Sequence, residues 1–169
     1  MYKFVNSFII FVCLSQFSSC RTSFSKLQAH LNAGDKAYQQ GNYGEAEKEY
    51  LSAVSEAEKN GSDNVMVIIS LRFLAQIYTA QGKAQEAEAV YKKRINLAES
   101  SLDEDPSYQA TVYDDLAVFY ILRNRFSDAE FIYQQGISLI EEAYGVNDAR
   151  VAEKLEYYAT LLRAKNYNT

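Results

Sequence analysis

The amino-acid sequence predicts an all-α fold in which one helical hairpin is repeated along the chain. The 169 residues contain a single proline, Pro106. A proline-poor chain suits long helices, because proline removes a backbone donor and clashes with the preceding turn. Residues that accept the left-handed conformation closing a helix recur at steps of 41, 42 and 42 residues. They are Gly41, Gly82, Asn124 and Asn166.

A second repeated feature follows each of the first three turns. A small residue and an aromatic residue stand four positions apart, which places both on one face of a helix. The alanine lets two helices approach closely, and the aromatic ring fills the space beside it. The pairs are Ala46 with Tyr50, Ala87 with Tyr91, and Ala129 with Tyr133.

One turn further along these second helices, the repeats differ. Ala53 and Gly136 are small, whereas Arg94 occupies the equivalent position of the second repeat. A long cation at a position meant for close contact must either extend to solvent or pair with an acid. The sequence leaves both outcomes open.

The elements follow in order from these turns. First helices are expected over about 23–40, 64–81, 107–123 and 148–165, and second helices over about 44–59, 84–101 and 127–143. Three hairpins and one extra helix result. The extra helix should cover the apolar end of the third hairpin, with the tail of the chain as a polar cap.

Residues typical of helix starts support these boundaries. Asp63 and Asp148 precede first helices, and Ser127 with Glu130 has the spacing of a capping box. Pro106 stands at the opening of a first helix, where proline is tolerated.

These motifs resemble the tetratricopeptide repeat, whose form is L-G-x2-Y followed by A-x3-F. In the second repeat the matching residues are Leu74-Ala75, Tyr78, Ala87 and Tyr91. The longer step and the linker Glu141–Leu155 are similar to the kinesin light chain type. The resemblance implies a right-handed α-solenoid of about three helix pairs with a C-terminal capping helix. Its repeats would span approximately 27–60, 68–101 and 110–143, with a partial repeat at 148–167.

The first residues of the chain form a separate segment. Lys3 is followed by an apolar run, Phe8–Leu14, and then by small and polar residues up to Cys20. This layout is typical of a secretory signal, here residues 1–19 followed by a domain over 20–169. The apolar run is too short for a membrane span, which takes about 20 residues.

The end of that segment, Ser18-Ser19-Cys20, resembles a bacterial lipoprotein signal. The resemblance implies that Cys20 is lipidated and anchors the protein to a membrane, and Arg21 favours the outer membrane over the inner one. Simple cleavage of the signal is the alternative. Either way the expected location is the periplasm or cell envelope.

The composition argues against several kinds of site. The formal charge is −5 and no basic patch is present, which excludes a typical nucleic-acid partner. His30 is the only histidine, so packing or solvent contact is preferred for it over a metal or base role. No Gly-rich phosphate loop occurs. We therefore expect no cofactor, no metal and no catalytic residue.

Peptides bind the concave groove of the family that this sequence resembles, and first helices line that groove. The positions carried over are Asn32, Asp35, Tyr38, Arg72, Phe73, Gln76, Thr79, Asp114, Asp115, Val118, Glu156, Tyr157 and Thr160. Their acidic and aromatic character suggests a basic extended segment as the ligand. The alternative is that these residues are merely solvated.

The leading functional hypothesis is a non-enzymatic scaffold, exported and lipid-anchored through Cys20, that binds a protein or peptide segment. The alternative is a structural subunit of a stable envelope or membrane-associated complex. A small enzyme built on the helices is the third class, disfavoured because no nucleophile and base pair is present. The sequence leaves self-association open.

Overall fold

The computed structural model describes residues 24–59, 64–101 and 105–166, and these residues form seven helices and no strand. The helices are α1 (24–39), α2 (Tyr43–Lys59), α3 (Asn64–Ala80), α4 (Ala84–Ser100), α5 (Pro106–Leu122), α6 (Phe126–Tyr144) and α7 (Ala149–Asn166). The all-α helical-repeat class is confirmed. The segment predicted as a signal, with Cys20, lies outside the described residues, as does Asp63.

The chain divides into two compact units. Unit 1 comprises Met1–Gln81 and contains α1, α2 and α3. Unit 2 comprises Gly82–Thr169 and contains α4, α5, α6 and α7.

The predicted turns have the expected backbone conformation at the first three positions. Gly41, Gly82 and Asn124 have φ values of +74°, +76° and +60°. Asparagine tolerates this region because its short polar side chain can bond locally. At the fourth predicted position, Asn166, the chain is still helical.

Two of the predicted helix starts are confirmed. The Asp105 carboxylate accepts a hydrogen bond from the backbone N–H of Ser107 at 2.7 Å, and Pro106 occupies the first helical position of α5. The Asp148 carboxylate accepts from the backbone N–H of Arg150 at 3.0 Å. Both bonds satisfy donors that a helix start leaves without partners.

The capping pair predicted at Ser127 is wrong, because α6 begins one residue earlier, at Phe126. The left-handed residue Asn124 is followed by a bond from the Arg125 N–H to the Tyr120 carbonyl at 2.9 Å. Arg125 is therefore the residue that precedes α6, and its side chain makes no capping hydrogen bond.

The repeated small residues give close contacts inside each unit. In unit 1, a Cβ built on Gly34 would lie 2.5 Å from Tyr50 Cε1, so the ring occupies the space a side chain would need. In unit 2, a Cβ on Gly136 would lie 3.2 Å from Tyr113 Cβ and 3.4 Å from the Ala110 carbonyl oxygen. α6 is therefore closely packed on α5.

The core of unit 2 centres on α5. This helix contacts α4, α6 and α7, and its buried residues lie on several faces rather than one. They are Ala110, Val112, Tyr113, Leu116, Ala117, Phe119, Tyr120 and Ile121. None of the helices in the described ranges is long and apolar enough to span a membrane.

Candidate partner-binding site

The predicted site residues of α1 differ in their surroundings. Asn32 is exposed and its side-chain oxygen accepts a hydrogen bond from Gln28 at 2.9 Å. Tyr38 is exposed, with its ring centre 5.7 Å from that of Tyr43. Asp35 is half-buried and accepts from the Tyr50 hydroxyl at 2.7 Å.

The predicted site residues of α3 also divide into two groups. Arg72 and Gln76 are exposed. Thr79 is half-buried and donates its hydroxyl to the Ala75 carbonyl at 2.8 Å. Phe73 is half-buried and stacks on the Tyr50 ring, with centroids 5.4 Å apart.

Tyr50 therefore joins the α1 and α3 positions in unit 1. It receives Phe73 on its ring and bonds Asp35 with its hydroxyl. Burial, with the hydrogen bond to Asp35 and its charge, raises the pKa of Tyr50. In unit 1, Asp35 and Phe73 thus have a packing role, whereas Asn32, Tyr38 and Arg72 are exposed.

In unit 2 the two adjacent acids of α5 each pair with a cation. Asp115 Oδ2 lies 2.7 Å from Arg94 Nη1, and the Arg94 side chain is only 3 % exposed. Of the two outcomes left open for Arg94, pairing with an acid is the one found. Asp114 pairs with Lys154 of α7, and both side chains are largely buried.

The environment of Asp114 is unusual. Its Oδ1 atom is buried and has no hydrogen-bond partner, while Oδ2 accepts from Lys154. Burial raises the pKa of Asp114, and the Lys154 ammonium opposes that effect. Lys154 also contributes its backbone carbonyl, which accepts from the Tyr133 hydroxyl. The pair therefore connects α5, α6 and α7.

This pair lies in a cleft of about 380 Å³ that is open to solvent. Three residues of α5, one of α6 and four of α7 line it. They are Ser107, Thr111, Asp114, Ile140, Arg150, Glu153, Lys154 and Tyr157. Only Asp114 and Tyr157 among them were singled out from the sequence.

The remaining lining residues of α5 and α7 lie one or two helical turns from Asp114 or Tyr157 on the same helix. Thr111 precedes Asp114 by three residues and Ser107 by seven, while Arg150 precedes Tyr157 by seven. Such spacings place residues on one helix face. These spacings are visible in the sequence, but the family resemblance pointed only to Asp114 and Tyr157.

The cleft combines charged, hydroxyl and aromatic groups. Arg150 pairs with Asp148 at 3.2 Å, and its guanidinium lies 3.9 Å from the centre of the Tyr144 ring. Tyr157 is 47 % exposed. With Asp114 matched by Lys154, the cleft has charges of both signs rather than a net acidic character.

The other predicted site residues of unit 2 do not line the cleft. Val118 is half-buried, and Glu156 and Thr160 are exposed on α7. The Thr160 hydroxyl donates to the Glu156 carbonyl at 2.9 Å.

His30 of unit 1 places Nδ1 2.7 Å from Glu49 Oε2. Within the described ranges, no three His, Cys, Asp or Glu residues are grouped as a metal site would require.

Comparison with known proteins agrees with this architecture. Two family models, both described as tetratricopeptide repeat, match residues 25–100 and 109–150. No curated protein matches the chain in a sequence search.

Among solved structures, the chain is similar to the crystal structure of BtubC (BKLC) from P. vanneervenii, with a TM-score of 0.62 and 21 % sequence identity. The match covers 89 % of this chain and 65 % of that one, so the chain spans slightly less than two thirds of the length of that structure. At this identity the likeness shows the fold alone.

Proposed function

Because the chain is built from tetratricopeptide repeats, which generally mediate binding between proteins, we propose that it is a non-catalytic interaction module. Its ligand is an extended segment of a partner protein that enters the unit 2 cleft between α5 and α7. The observation that supports this most directly is the cleft itself, because it is lined by two successive first helices and is open to solvent.

The lining indicates which segment would fit. The charges of Asp114 and Asp115 are matched inside the unit by Lys154 and Arg94. They therefore offer little net attraction to a basic segment, and the sequence-based argument for one loses its main support. Tyr157 instead supplies a large exposed ring, and aromatic side chains contribute strongly to binding when a partner covers them.

We therefore expect a segment with one apolar or aromatic anchor residue against Tyr157. Its backbone amides and carbonyls would bond the hydroxyl of Ser107 and the carboxylate of Glu153 at the edges of the cleft. Neither side chain is deeply buried, so both are accessible to a ligand.

The experiment is selection of binders from a displayed library of random peptides, followed by affinity measurement on the full chain. Tyr157→Ala should weaken the selected peptides at least tenfold. Phe131→Ala on α6 is the control, because it removes an aromatic ring that is even more exposed than Tyr157 (62 % against 47 %) and does not line the cleft. Failure to select any peptide, or equal loss with both variants, would overturn the proposed site.

The export and membrane attachment of the protein belong to the same proposal. Their support is the sequence of residues 1–20, with its short apolar run and Ser18-Ser19-Cys20. Attachment through Cys20 is tested by expressing Cys20→Ser and separating membrane from soluble fractions. The variant should move to the soluble fraction, and unchanged partition would refute lipid anchoring.

A further inference from the structure

One charged side chain that lines the cleft of unit 2 has no partner of opposite sign among the described residues. Glu153 of α7 is exposed, and its carboxylate makes neither an ion pair nor a hydrogen bond in the described ranges. Asp114, by contrast, is matched by Lys154. The lining residues that α5 and α6 contribute besides Asp114 are uncharged: Ser107, Thr111 and Ile140.

Arg150 lies one turn before Glu153 on α7, but other groups hold its side chain. Its Nη1 atom is 3.2 Å from Asp148 Oδ2, and its guanidinium carbon is 3.9 Å from the centre of the Tyr144 ring. The ring and the carboxylate together orient the guanidinium, and Asp148 already balances its charge. The lining of the cleft is therefore left with one unmatched negative charge, at Glu153.

Glu153 shares a helix face with Tyr157. Four residues separate the two, which places both side chains on one side of α7, about 6 Å apart along the helix axis. Both residues line the cleft and both are exposed. A carboxylate attracts a cation by its charge, and the face of an aromatic ring attracts a cation as well. This part of the cleft is thus suited to a positively charged group.

We propose that the ligand of the cleft carries a lysine or arginine that pairs with Glu153, two positions from the residue anchored against Tyr157. This inference rests on the proposed binding of an extended segment, and it adds the charge and the spacing of that segment. In an extended chain, alternate side chains point to one side, about 6.6 Å apart. This distance matches the rise between Glu153 and Tyr157. Adjacent ligand residues would point to opposite sides, and residues four positions apart would be separated by about 13 Å.

The dimensions of the cleft support a ligand that lies along α7. The lining residues span seven positions on α5, from Ser107 to Asp114, and seven on α7, from Arg150 to Tyr157. Seven positions correspond to about 10 Å along a helix. Three extended residues cover about the same length, which is enough for the anchor, one intervening residue and the basic residue.

The ion pair is compatible with the hydrogen bonds proposed for the ligand backbone. A carboxylate has two oxygens and can accept several hydrogen bonds at once. One oxygen of Glu153 can therefore accept from a backbone N–H of the ligand while the other accepts from its cationic side chain.

The test repeats the selection from a displayed library of random peptides on variants of the full chain. Peptides selected on wild type should contain lysine or arginine two positions from the anchor. On Glu153→Lys, the selection should favour aspartate or glutamate there, because the charge that faces this position is reversed. Glu142→Lys is the matched control and should leave the basic preference unchanged. Glu142 is also an exposed glutamate, and it lies two residues from Ile140, hence on the other side of α6.

The affinity of one selected peptide measures the contact itself. Glu153→Gln should weaken binding about three- to fivefold, as expected for loss of an exposed ion pair. Replacing the basic residue of the peptide by glutamine should weaken binding equally. The two changes together should cost little more than either alone, because both remove the same pair. Added salt should reduce the effect of each change.

The outcomes separate this inference from the proposed function. If Tyr157→Ala weakens the peptides but Glu153→Lys selects the same residues as wild type, the role of Glu153 is wrong and the cleft remains the binding site. Selected peptides without a basic residue at the stated spacing would lead to the same conclusion. If Tyr157→Ala has no effect, the cleft is not the binding site and the inference for Glu153 is overturned with it. Circular dichroism of each variant verifies that the fold is retained.

Discussion

The pair formed by Arg94 and Asp115 offers the sharpest test of how the repeats pack. Arg94 stands where the other second helices have Ala53 and Gly136, and Asp115 stands where the first helices that follow those two, α3 and α7, have Phe73 and Tyr157. A small residue in the second helix thus goes with an aromatic residue in the following first helix. In unit 2 between α4 and α5, a cation and an acid replace that combination.

Removing one member should be costly. The Arg94 side chain is 3 % exposed and that of Asp115 23 %, with 2.7 Å between Nη1 and Oδ2. Arg94→Ala leaves a largely desolvated carboxylate, and breaking a buried pair in this way costs about 3–5 kcal/mol. Since small domains are stable by about 5–15 kcal/mol, the loss should be visible as a large shift in urea unfolding followed by circular dichroism.

A variant in an exposed ion pair gives the comparison for the loss of free energy expected in Arg94→Ala. Lys92→Ala removes a cation whose side chain is 56 % exposed, and its partner Glu88 keeps bonds from Tyr120 and Arg125. Exposed ion pairs contribute about 0–1 kcal/mol. We expect the free energy of unfolding to change by no more than that.

The decisive variant is Arg94→Ala combined with Asp115→Phe, which copies the combination Ala53 with Phe73. Replacing a buried ion pair by packed apolar residues is often neutral or stabilising by about 1–4 kcal/mol. The double variant should therefore recover most of the stability lost in Arg94→Ala. If it is no more stable than the single variant, the repeats are not equivalent at this contact. A loss below about 1 kcal/mol in Arg94→Ala would refute the buried-pair argument itself.

Two further predictions use the same unfolding assay. Gly34→Ala should destabilise the protein by about 1–3 kcal/mol because its Cβ would overlap the Tyr50 ring. Gly44→Ala, with no atom within 4 Å of the added Cβ, should be neutral or stabilising by up to about 1 kcal/mol; equal losses would contradict the close contact. Burial opposes ionisation of Glu88, but hydrogen bonds from Lys92, Tyr120 and Arg125 outweigh it and lower its pKa from 4.5 to about 2. Its contribution is therefore complete above pH 4.5 and is lost as the pH falls towards 2, so the difference in unfolding free energy between wild type and Glu88→Gln should shrink over that range. A constant difference would refute this assignment.

Most of the fold could be predicted because local signals agreed with one another. The positive φ values at Gly41, Gly82 and Asn124 follow from residue type and spacing. Because each of those turns separates a first helix from a second helix, the turn positions largely determine where the helices begin and end. Ser127 failed as a cap because the turn at Asn124 sets where α6 begins, and that geometry overrides the preference of a single residue.

The ion pairs of the site were harder to predict. Lys154 and Asp114 lie 40 residues apart, and no rule of local spacing connects them. Their contact depends on how α7 packs against α5, which a pattern read along the chain does not specify. The sequence could list the acids of a groove, but it could not show that Lys154 and Arg94 match them.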